Sequence, residues 1–506
     1  MVGQELFSGF ALPLPLAILL AGGLLSPIFG SLSDRMRFSS FKGVWMVLIS
    51  GGALVSVYLL YLQVKASAEE ILLMGVWGQT PPTAGCFEID MLSVFMAGSI
   101  SVLGLLVSVY SISYMAKESR LTEFYTLMAF MMAGMMGIVM AGDMFTLFVF
   151  WELMGLSSYV LVAFQKRTWG PIEAGFKYLV MSATAGAFLL LSMSIMYGMT
   201  GTLNFAALSA SLKGAPVTPW TIFLLSCLII GFGVKSAIVP LHTWLPDAHP
   251  EAPSPISALL SGAVIETGLY AMVRVLFLVF EPGFFSWPVA ILAIITMSLG
   301  NIMALLQTDL KRLLAYSSIA QVGYMLIGVS TGLSYGLLGT FLHIFNHSIM
   351  KGVAFLAAGN IVHMAGTRDI NEMRGVGRMM PITTFAIIVA FLGLGGVPGT
   401  SGFISKFILF NASLGAGNPI LAVVGVLNST LSMAYYLRVI MALLDGKAAE
   451  GMKVKEAPLM MAGVSLVMSI LIIALGLYPN PVMGISADAS EALITGLANY
   501  IGAVLR

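Results

Sequence analysis

Apolar stretches of about 20 residues or more recur along almost the whole chain, separated by short segments that carry charges, prolines and glycines. Because a hydrocarbon core about 30 Å thick requires roughly 20 apolar residues per helix, each stretch predicts a membrane-spanning helix. Only 9% of the 506 residues are charged and 58% are hydrophobic, which excludes an ordinary soluble protein. We therefore expect an all-α polytopic membrane protein.

The interruptions between the apolar stretches predict fourteen spans. The first ten residues of the chain contain no Lys or Arg, so we expect the first stretch to be a retained helix and not a cleaved signal peptide. The predicted spans cover residues 8–30, 43–63, 91–114, 123–141, 143–164, 172–198, 219–240, 253–280, 286–307, 312–332, 335–363, 381–415, 418–445 and 457–478.

The basic residues of the loops predict an orientation. Fifteen Lys and Arg residues fall in odd-numbered loops, whereas even-numbered loops and both termini hold only Lys65, Lys213 and Arg506. Since basic residues accumulate on the cytoplasmic side of membrane proteins, both termini are predicted to be extracytoplasmic in a cell membrane. The net charge of +1 offers no basic surplus for nucleic acid, and none is expected as a partner.

A few ionisable residues fall inside the predicted spans. An ionised side chain at the bilayer centre costs at least about 2.5–3.5 kcal/mol, so such residues usually face a protein interior or a hydrated path. Glu152 follows Asp143 by nine residues, which places it roughly 13 Å into the fifth helix. Glu266 is the second acid within a span. The basic members are Lys177, Lys235, Arg274, Lys351, Lys406 and Arg438, of which we assign Lys177 and Arg438, near helix ends, to structural roles.

The eleventh span carries three titratable residues at helical spacing. His343, His347 and Lys351 recur at i, i+4 and i+8, so they share one helix face. Three such groups in a membrane helix favour proton handling over a merely structural pairing. The tenth span adds polar side chains that could hold a water chain or could join helices by hydrogen bonds, namely Tyr316, Ser317, Gln321 and Tyr324.

The seventh and twelfth spans are each interrupted beside a lysine. Lys235 precedes Pro240, and Lys406 follows Pro398 and Gly399. Proline removes a backbone donor and glycine weakens a helix, so each span is predicted to break and expose carbonyls. Interruptions at matching positions of two halves indicate inverted repeats around a transport site. The predicted divisions of the single membrane domain are 1–122, repeats at 123–280 and 281–445, and a last helix with an amphipathic segment at 446–506.

Metal and cofactor sites are not expected. His242 and His249, with Asp247 and Glu251, lie in a proline-rich connection without the fixed spacing of a zinc site. The glycines lie in apolar helices, where close helix packing is the usual explanation, and no phosphate-binding loop is present in the sequence. We therefore expect no catalytic site on this chain.

Five segments resemble the signatures of antiporter-like membrane subunits, which occur in respiratory complex I, in Mrp-type Na+/H+ antiporters and in membrane-bound hydrogenases. The segments are FTLFVFWELMGLSSYVLV, KSAIVPLHTWLPDAHPEAPSPISALLSG, LLQTDLKRLLAYSSIAQVGYM, HIFNHSIMKGVAFLAAGN and GVPGTSGFISKF. The resemblance covers about residues 85–440, and GDMFTLFVFWELMGLSSY is most similar to the D-type antiporter-like subunits of Mrp assemblies.

The resemblance implies fourteen helices, inverted five-helix repeats and a lateral row of charged residues at mid-membrane. By position, the row would contain Glu152, Lys235, His347, Lys351 and Lys406. One position departs from the family pattern: Glu266 stands where a lysine is usual. We expect Glu266 either to pair with a neighbouring lysine or to tune cation access.

The function expected is that of a proton- or cation-translocating subunit in a multisubunit membrane complex. Partners would be other membrane subunits, with iron–sulfur or hydrogenase-like peripheral subunits as candidates, and the cargo H+ or Na+. Pairing with Glu152 would favour charged Lys235, whereas separation in a poorly hydrated environment would favour release of its proton along the row. The alternatives are a self-sufficient Na+/H+ antiporter, an Mrp subunit without a redox partner, and a structural scaffold. Residues 483–506 are expected along a partner or the membrane surface.

Overall fold

The computed structural model describes residues 13–35, 40–67, 71–75, 85–166, 168–446 and 454–505. These parts of the chain are almost wholly helical. Within them, strands β1 (Leu72–Gly75) and β2 (Cys86–Ile89) form a two-stranded antiparallel sheet in which Leu72 lies opposite Ile89.

Twelve helical segments of the described chain are long and apolar enough to cross a membrane. They are α1 (Leu14–Arg35), α2 (Ser40–Ala66), α3 (Met91–Tyr114), α4 (Leu121–Met140), α5 (Met144–Val162), α6 (Trp169–Thr200), the segment Ser254–Val279, α12 (Pro282–Leu305), α13 (Leu310–Ser330), α14 (Ser334–Ala365), α17 (Pro419–Leu444) and α18 (Leu459–Leu477).

The segment Ser254–Val279 is itself composed of α10 (Ser254–Leu259), a π-helical turn (Leu260–Val264) and α11 (Ile265–Val279). The remaining elements are shorter. They are α7 (Phe205–Leu212), α8 (Pro219–Lys235), α9 (Leu245–Glu251), a 3-10 turn (Val376–Arg378), α15 (Pro381–Gly395), α16 (Ser401–Gly415), α19 (Asn480–Ile494) and α20 (Leu497–Val504).

The prediction of a polytopic all-α membrane protein with discontinuous helices is confirmed. Twelve of the predicted spans are the long segments above, and the other two are the interrupted ones, which begin with α8 and α15. Residues 8–12 of the first span lie outside the described residues. So do Arg37, Arg167, Lys447, Lys453 and Arg506, which contribute to the charge count.

Helix α14 lies at the centre of the second half of the chain, in contact with α13, α15, α16, α18 and α19. Such close packing requires small residues where helix backbones meet. A Cβ added at Gly323 of α13 would lie 2.5 Å from the backbone nitrogen of Met297, and one added at Gly359 of α14 would lie 2.5 Å from the Cβ of Ser254. Glycines at these two positions therefore allow α13 to pack closely on α12 and α14 to pack closely on the start of α10.

The C-terminal segment packs on its own chain. Helix α19 contacts α3 and α14, and α20 contacts α7. An ion pair of 2.7 Å joins Lys65, in the last turn of α2, to Asp488. On α20, Leu497, Tyr500 and Val504 are buried, because they recur at i, i+3 and i+7 on one face. The two helices thus lie across the face whose loops are poor in Lys and Arg, hereafter the basic-poor face.

Candidate functional site

The first interrupted span breaks where the proline and glycines predict. Helix α8 ends at Lys235, and α9 begins only at Leu245. The carbonyl of Val234, at the break, accepts a hydrogen bond of 3.1 Å from the Ala237 N–H and one of 2.7 Å from the indole Nε1 of Trp244. Trp244 thus adds a side-chain hydrogen bond that stabilises the break beside Lys235.

Lys235 is buried among neutral partners. Its Nζ donates hydrogen bonds of 3.2 Å to the Tyr178 hydroxyl and 3.0 Å to the Ser182 hydroxyl of α6. The same nitrogen lies 4.9 Å from the centre of the Tyr178 ring and 5.6 Å from that of Trp151, distances at which an aromatic face stabilises a cation. A Cβ added at Gly155 would lie 3.3 Å from Nζ, so this glycine provides room for the ammonium group.

Glu152 lies on the outer surface of α5 and is exposed in this chain. Its carboxylate rests against α6, since a Cβ added at Gly186 would lie 2.9 Å from Oε1. The Glu152–Lys235 ion pair considered from the sequence is not formed here: among the described residues, Lys235 hydrogen-bonds to the hydroxyls of α6.

Glu266 pairs with a histidine. Its Oε1 lies 2.6 Å from Nδ1 of His347, and both side chains are buried. Of the two roles expected for Glu266, pairing with a lysine is not found among the described residues, because α14 presents His347 to the start of α11. A role in cation access stays a prediction. Nε2 of His347 has no partner in the described chain. A π-helical turn ends just before Glu266, and such turns often occur at functional sites.

His343 connects three helices. Its Nε2 lies 3.0 Å from Oε1 of Gln321 on α13, and its Nδ1 lies 2.8 Å from the Ser405 hydroxyl on α16. The ring centres of His343 and His347 are 6.3 Å apart. The three-residue face predicted for α14 is thus buried and turned towards polar neighbours.

Lys351, one turn further along α14, is also held by neutral acceptors. Its Nζ donates 2.9 Å to the carbonyl of Leu314 and 2.7 Å to the hydroxyl of Ser317. The Ser317 hydroxyl is in turn hydrogen-bonded to the hydroxyl of Tyr436. Lys351 therefore ends a short polar chain that runs from α14 through α13 to α17.

The second interrupted span breaks after Gly395, where α15 ends, and resumes at Ser401. Lys406 donates 2.7 Å to the freed carbonyl of Leu394 and 3.2 Å to the hydroxyl of Ser429. The amide of Gln321 donates to the same carbonyl at 3.1 Å, and the Tyr324 ring centre lies 4.2 Å from Lys406 Nζ. The predicted exposure of carbonyls beside a lysine is found at this break.

These contacts form one row across the bundle. From Lys406 the contacts pass through the Leu394 carbonyl and Gln321 to His343, then along α14 to His347 and Glu266. Lys235 lies beside α11, since a Cβ added at Gly268, two residues after Glu266, would lie 3.1 Å from Cβ of Lys235. Glu152 lies at the open end of the row.

The supporting residues differ in their roles. Ser317, Gln321 and Tyr324 contact the row. Asp143 instead caps α5, accepting 2.7 Å from the backbone N–H of Thr146. Tyr316 makes no side-chain hydrogen bond to a described residue. The predicted breaking residues Pro240, Pro398 and Gly399 all lie in the non-helical connections.

Sequence reasoning missed the uncharged members of the site. Tyr178, Ser182, Ser405 and Ser429 hold the ionisable groups. Burying a neutral hydroxyl costs much less than burying a charge. Nothing in the sequence therefore distinguishes these residues from the many other serines and tyrosines of the spans. Lys311, counted as a loop residue, is buried in the first turn of α13 and donates 2.6 Å to the carbonyl of Ala252.

The sequence model of the family described as NADH:quinone oxidoreductase/Mrp antiporter, transmembrane, matches residues 141–432. The chain belongs to this family. A second family model, described as the N-terminus of complex I chain 5, matches residues 85–125. The chain is therefore an antiporter-like membrane subunit, as the quoted segments predicted.

Relatives extend over most of the chain. The F(420)H(2) dehydrogenase subunit N of Methanosarcina mazei is 34% identical over 425 residues, covering 80% of this chain and 85% of the relative. The NADH-quinone oxidoreductase subunit N 2 of Chloroherpeton thalassium is 32% identical over 479 residues, covering 91% of each chain.

Solved structures have the same fold. A chain of an archaeal membrane-bound sulfane sulfur reductase superposes with a TM-score of 0.86 at 28% identity, covering 97% of this chain and 99% of the other. A chain of the Mrp complex of Dietzia sp. gives 0.89 at 24% identity, covering 98% and 100%. For Thermus thermophilus complex I the TM-score is 0.76 at 25% identity, covering 94% and 99%.

Proposed function

We propose that this subunit carries protons along the row that runs from Glu152 through Lys235, Glu266 and the α14 residues to Lys406. One observation carries the proposal: Lys235, Glu266, His343, His347, Lys351 and Lys406 are all buried, and each contacts at least one polar group inside the bundle. Burying six ionisable groups is expensive in a membrane and is expected only where they serve transport. A scaffold needs none of them.

The chemistry of each step is a proton transfer between neighbours. Glu266 and His347 lie at hydrogen-bonding distance and can share one proton. Lys235, Lys351 and Lys406 each hydrogen-bond to hydroxyls or carbonyls, so each amine can lose a proton without leaving a buried carboxylate unpaired. Movement of Lys235 towards Glu152 would favour its charged form, and its return to Tyr178 and Ser182 would favour release along the row.

The exposure of Glu152 supports the proposal that a partner protein covers this side of the chain. A carboxylate at mid-membrane depth on the lipid-facing surface is unfavourable unless another protein covers it. We propose that α5 and α6 dock on a second membrane subunit that supplies a polar or basic group to Glu152. The relatives named as dehydrogenase or oxidoreductase subunits favour a redox-driven complex, with iron–sulfur or hydrogenase-like peripheral subunits as candidate partners.

The loop charges support an orientation in which the basic-poor face is extracytoplasmic. We propose this orientation, with repeats at 123–280 and 281–445. The matched breaks beside Lys235 and Lys406 support the repeats.

Substitution of the row's first members tests the proposal. In the assembled complex, reconstituted in liposomes, Lys235→Ala or Glu152→Ala should abolish proton transport while the subunit composition stays unchanged. The matched control is Lys117→Ala, which changes an exposed lysine in the loop between α3 and α4. Unaltered transport in well-assembled Lys235→Ala complexes would contradict the proposal.

Purification in mild detergent separates the competing functions. A complex subunit should co-migrate with stoichiometric partners and should be inactive alone. The alternative, a self-sufficient Na+/H+ antiporter, requires that the isolated chain exchange Na+ for H+ in liposomes. Stimulation of transport by Na+ in a complex without redox subunits would instead identify an Mrp-type assembly.

A further inference from the structure

A second group of buried ionisable residues lies at the basic-poor face, outside the row. Glu88 of β2 is fully buried. It accepts a hydrogen bond from the Tyr500 hydroxyl of α20 and another, of 2.9 Å, from the Asn204 amide at the start of α7. Two separate helices therefore meet on a single carboxylate.

An ion pair adjoins this carboxylate. Asp90, two residues after Glu88, caps α3 by accepting 2.8 Å from the Ser93 N–H and pairs with Arg274 of α11. Arg274 is only 2% exposed, yet its Nε and Nη2 have no acceptor among the described residues. Its Cζ lies 5.7 Å from the Tyr500 ring centre. Buried guanidinium donors without a protein acceptor are commonly satisfied by ordered water.

Helix α11 joins this group to the row. Glu266, Tyr270 and Arg274 recur at i, i+4 and i+8, so they share one face of the helix. All three are buried, and the Tyr270 hydroxyl donates 2.9 Å to the carbonyl of Val139. Eight residues separate Glu266 from Arg274, which is roughly 12 Å along the axis. A polar stripe thus leads from the Glu266–His347 pair to the basic-poor face.

We propose that Glu88, with Asp90, Arg274 and Tyr500, is the site from which this subunit releases protons on the extracytoplasmic side. This inference rests on the proposed function of the row. A proton leaves the Glu266–His347 pair and is relayed along α11 past Tyr270. The Glu88 carboxylate accepts it and becomes a neutral acid, and the same proton then passes to bulk water beside Tyr500, restoring the carboxylate. Tyr270 and Arg274 have no net change of protonation.

The electrostatic surroundings suit this role. The titratable and charged groups around Glu88 and its immediate partners are Cys86, Asp90, Asp143, Tyr270, Arg274 and Tyr500. Burial raises the pKa of Glu88 to about 7, against the hydrogen bonds from Tyr500 and Asn204 and the charge of Arg274, which lower it. Burial also raises the pKa of the Cys86 thiol, which therefore stays neutral. An acid that titrates near the ambient pH can both accept and release a proton readily.

Helix α20 covers the site. Its buried face consists of Leu497, Tyr500 and Val504, and Tyr500 supplies the contact with Glu88. Removal of the Tyr500 hydroxyl would withdraw a donor from the carboxylate and raise the Glu88 pKa further. The pH dependence of release should therefore respond to Tyr500 even though this residue is far from the row.

The test uses the reconstituted complex with Glu88→Gln, and with Glu491→Gln as the matched control on the exposed surface of α19. Glu88→Gln should lower proton release by roughly a hundredfold, within the range usual for loss of a proton-transfer group. Glu88→Asp should recover part of it, and Tyr500→Phe should move the pH profile of release to higher pH. Infrared titration of the wild-type complex should show a buried carboxyl band that disappears near pH 7 and is missing in Glu88→Gln.

The outcomes separate this inference from the proposed function. If Glu88→Gln transports like Glu491→Gln while Lys235→Ala is inactive, the release site is wrong and the row stands. If Lys235→Ala transports protons as well as the wild type does, the row is wrong. The infrared titration then decides Glu88 alone, and a carboxylate that stays ionised from acid to alkaline pH overturns its role. Should Glu88→Gln fail to assemble, an unchanged pH profile in Tyr500→Phe overturns the proposal.

Discussion

At the scale of single residues, the buried lysines share an unusual environment. Lys235, Lys351 and Lys406 each donate to hydroxyls or backbone carbonyls, and none forms an ion pair with a described acid. A buried ion pair strongly resists the loss of one charge, because the remaining charge is left uncompensated. A lysine held by neutral acceptors has no such penalty, so its protonation can change during transport.

The space around Lys235 yields a residue-scale prediction. A Cβ at Gly155 would lie 3.3 Å from Lys235 Nζ and 3.4 Å from the Ser182 hydroxyl. Gly155→Ala should therefore displace the ammonium group and lower proton transport severalfold, with little change in assembly. Gly198→Ala is the control, because no atom lies within 4 Å of the added Cβ. Transport in Gly155→Ala equal to that in Gly198→Ala would contradict the predicted role of this space.

Glu88 gives a pH-dependent prediction. Its pKa in the folded protein, about 7, exceeds its ordinary value of 4.5, so between these values the folded state binds more protons than the unfolded state. Stability must then fall as pH rises through this window and level off above it. The loss is at most about 3–4 kcal/mol, since one pKa unit corresponds to about 1.4 kcal/mol.

Thermal unfolding in detergent checks this prediction. The melting temperature of the wild type should decrease between pH 5 and pH 7 relative to that of Glu88→Gln, which lacks the titrating group. Parallel pH profiles for the two proteins would show that Glu88 does not titrate in this range.

The charged members of the row could be identified from the sequence, because a charged residue inside a membrane span is costly and therefore rare. Their partners could not be identified in this way. Glu266 and His347 are 81 positions apart, and the choice of histidine over Lys351 depends on the rotation of α14. Glu88 lies in a strand outside the spans, where a charge in the sequence appears inexpensive. Its burial results from α20, which folds back from the far end of the chain.

At the scale of elements, the two breaks were predictable and their stabilisation was not. Prolines and glycines near Lys235 and Lys406 indicated where helical hydrogen bonds end. Side chains donate to carbonyls at both breaks, Trp244 to that of Val234 and both Lys406 and Gln321 to that of Leu394. These donors come from side chains whose positions follow only from the packed helices.

The close approach of α15 and α16 yields an element-scale prediction. A Cβ at Gly402 would lie 2.0 Å from the carbonyl oxygen of Gly393, a rigid backbone contact. Gly402→Ala should push the two half-helices apart, destabilise the chain by about 1–3 kcal/mol or more, and disturb Lys406. Thermal unfolding and transport measure the two effects. Gly463→Ala on α18 is the control, since its added Cβ meets no atom within 4 Å. A Gly402→Ala protein as stable as this control would show that the half-helices are not tightly packed.

At the scale of the whole molecule, the chain encloses all members of the row except one. Most of the ionisable groups of the row are buried within the chain itself, so this part of the path is complete in one subunit. Glu152 is the exception and is exposed beside apolar residues of the same helix, including Leu156 and Val160. The molecule therefore has one open end, at α5, where the path depends on a partner.

Because only Glu152 is exposed, Glu152→Gln is predicted to have opposite effects on the isolated chain and on the assembled complex. An exposed carboxylate near mid-membrane is unfavourable by about 2.5 kcal/mol or more, so Glu152→Gln should raise the thermal stability and yield of the chain produced alone. In the assembled complex the same change should abolish proton transport, because the neutral amide cannot exchange a proton with Lys235 or with the partner. Glu123→Gln, an exposed acid in the first turn of α4, is the matched control and should leave both properties unchanged. Lower stability of the isolated Glu152→Gln chain would show that Glu152 holds the fold together, and full transport in the complex would remove it from the path.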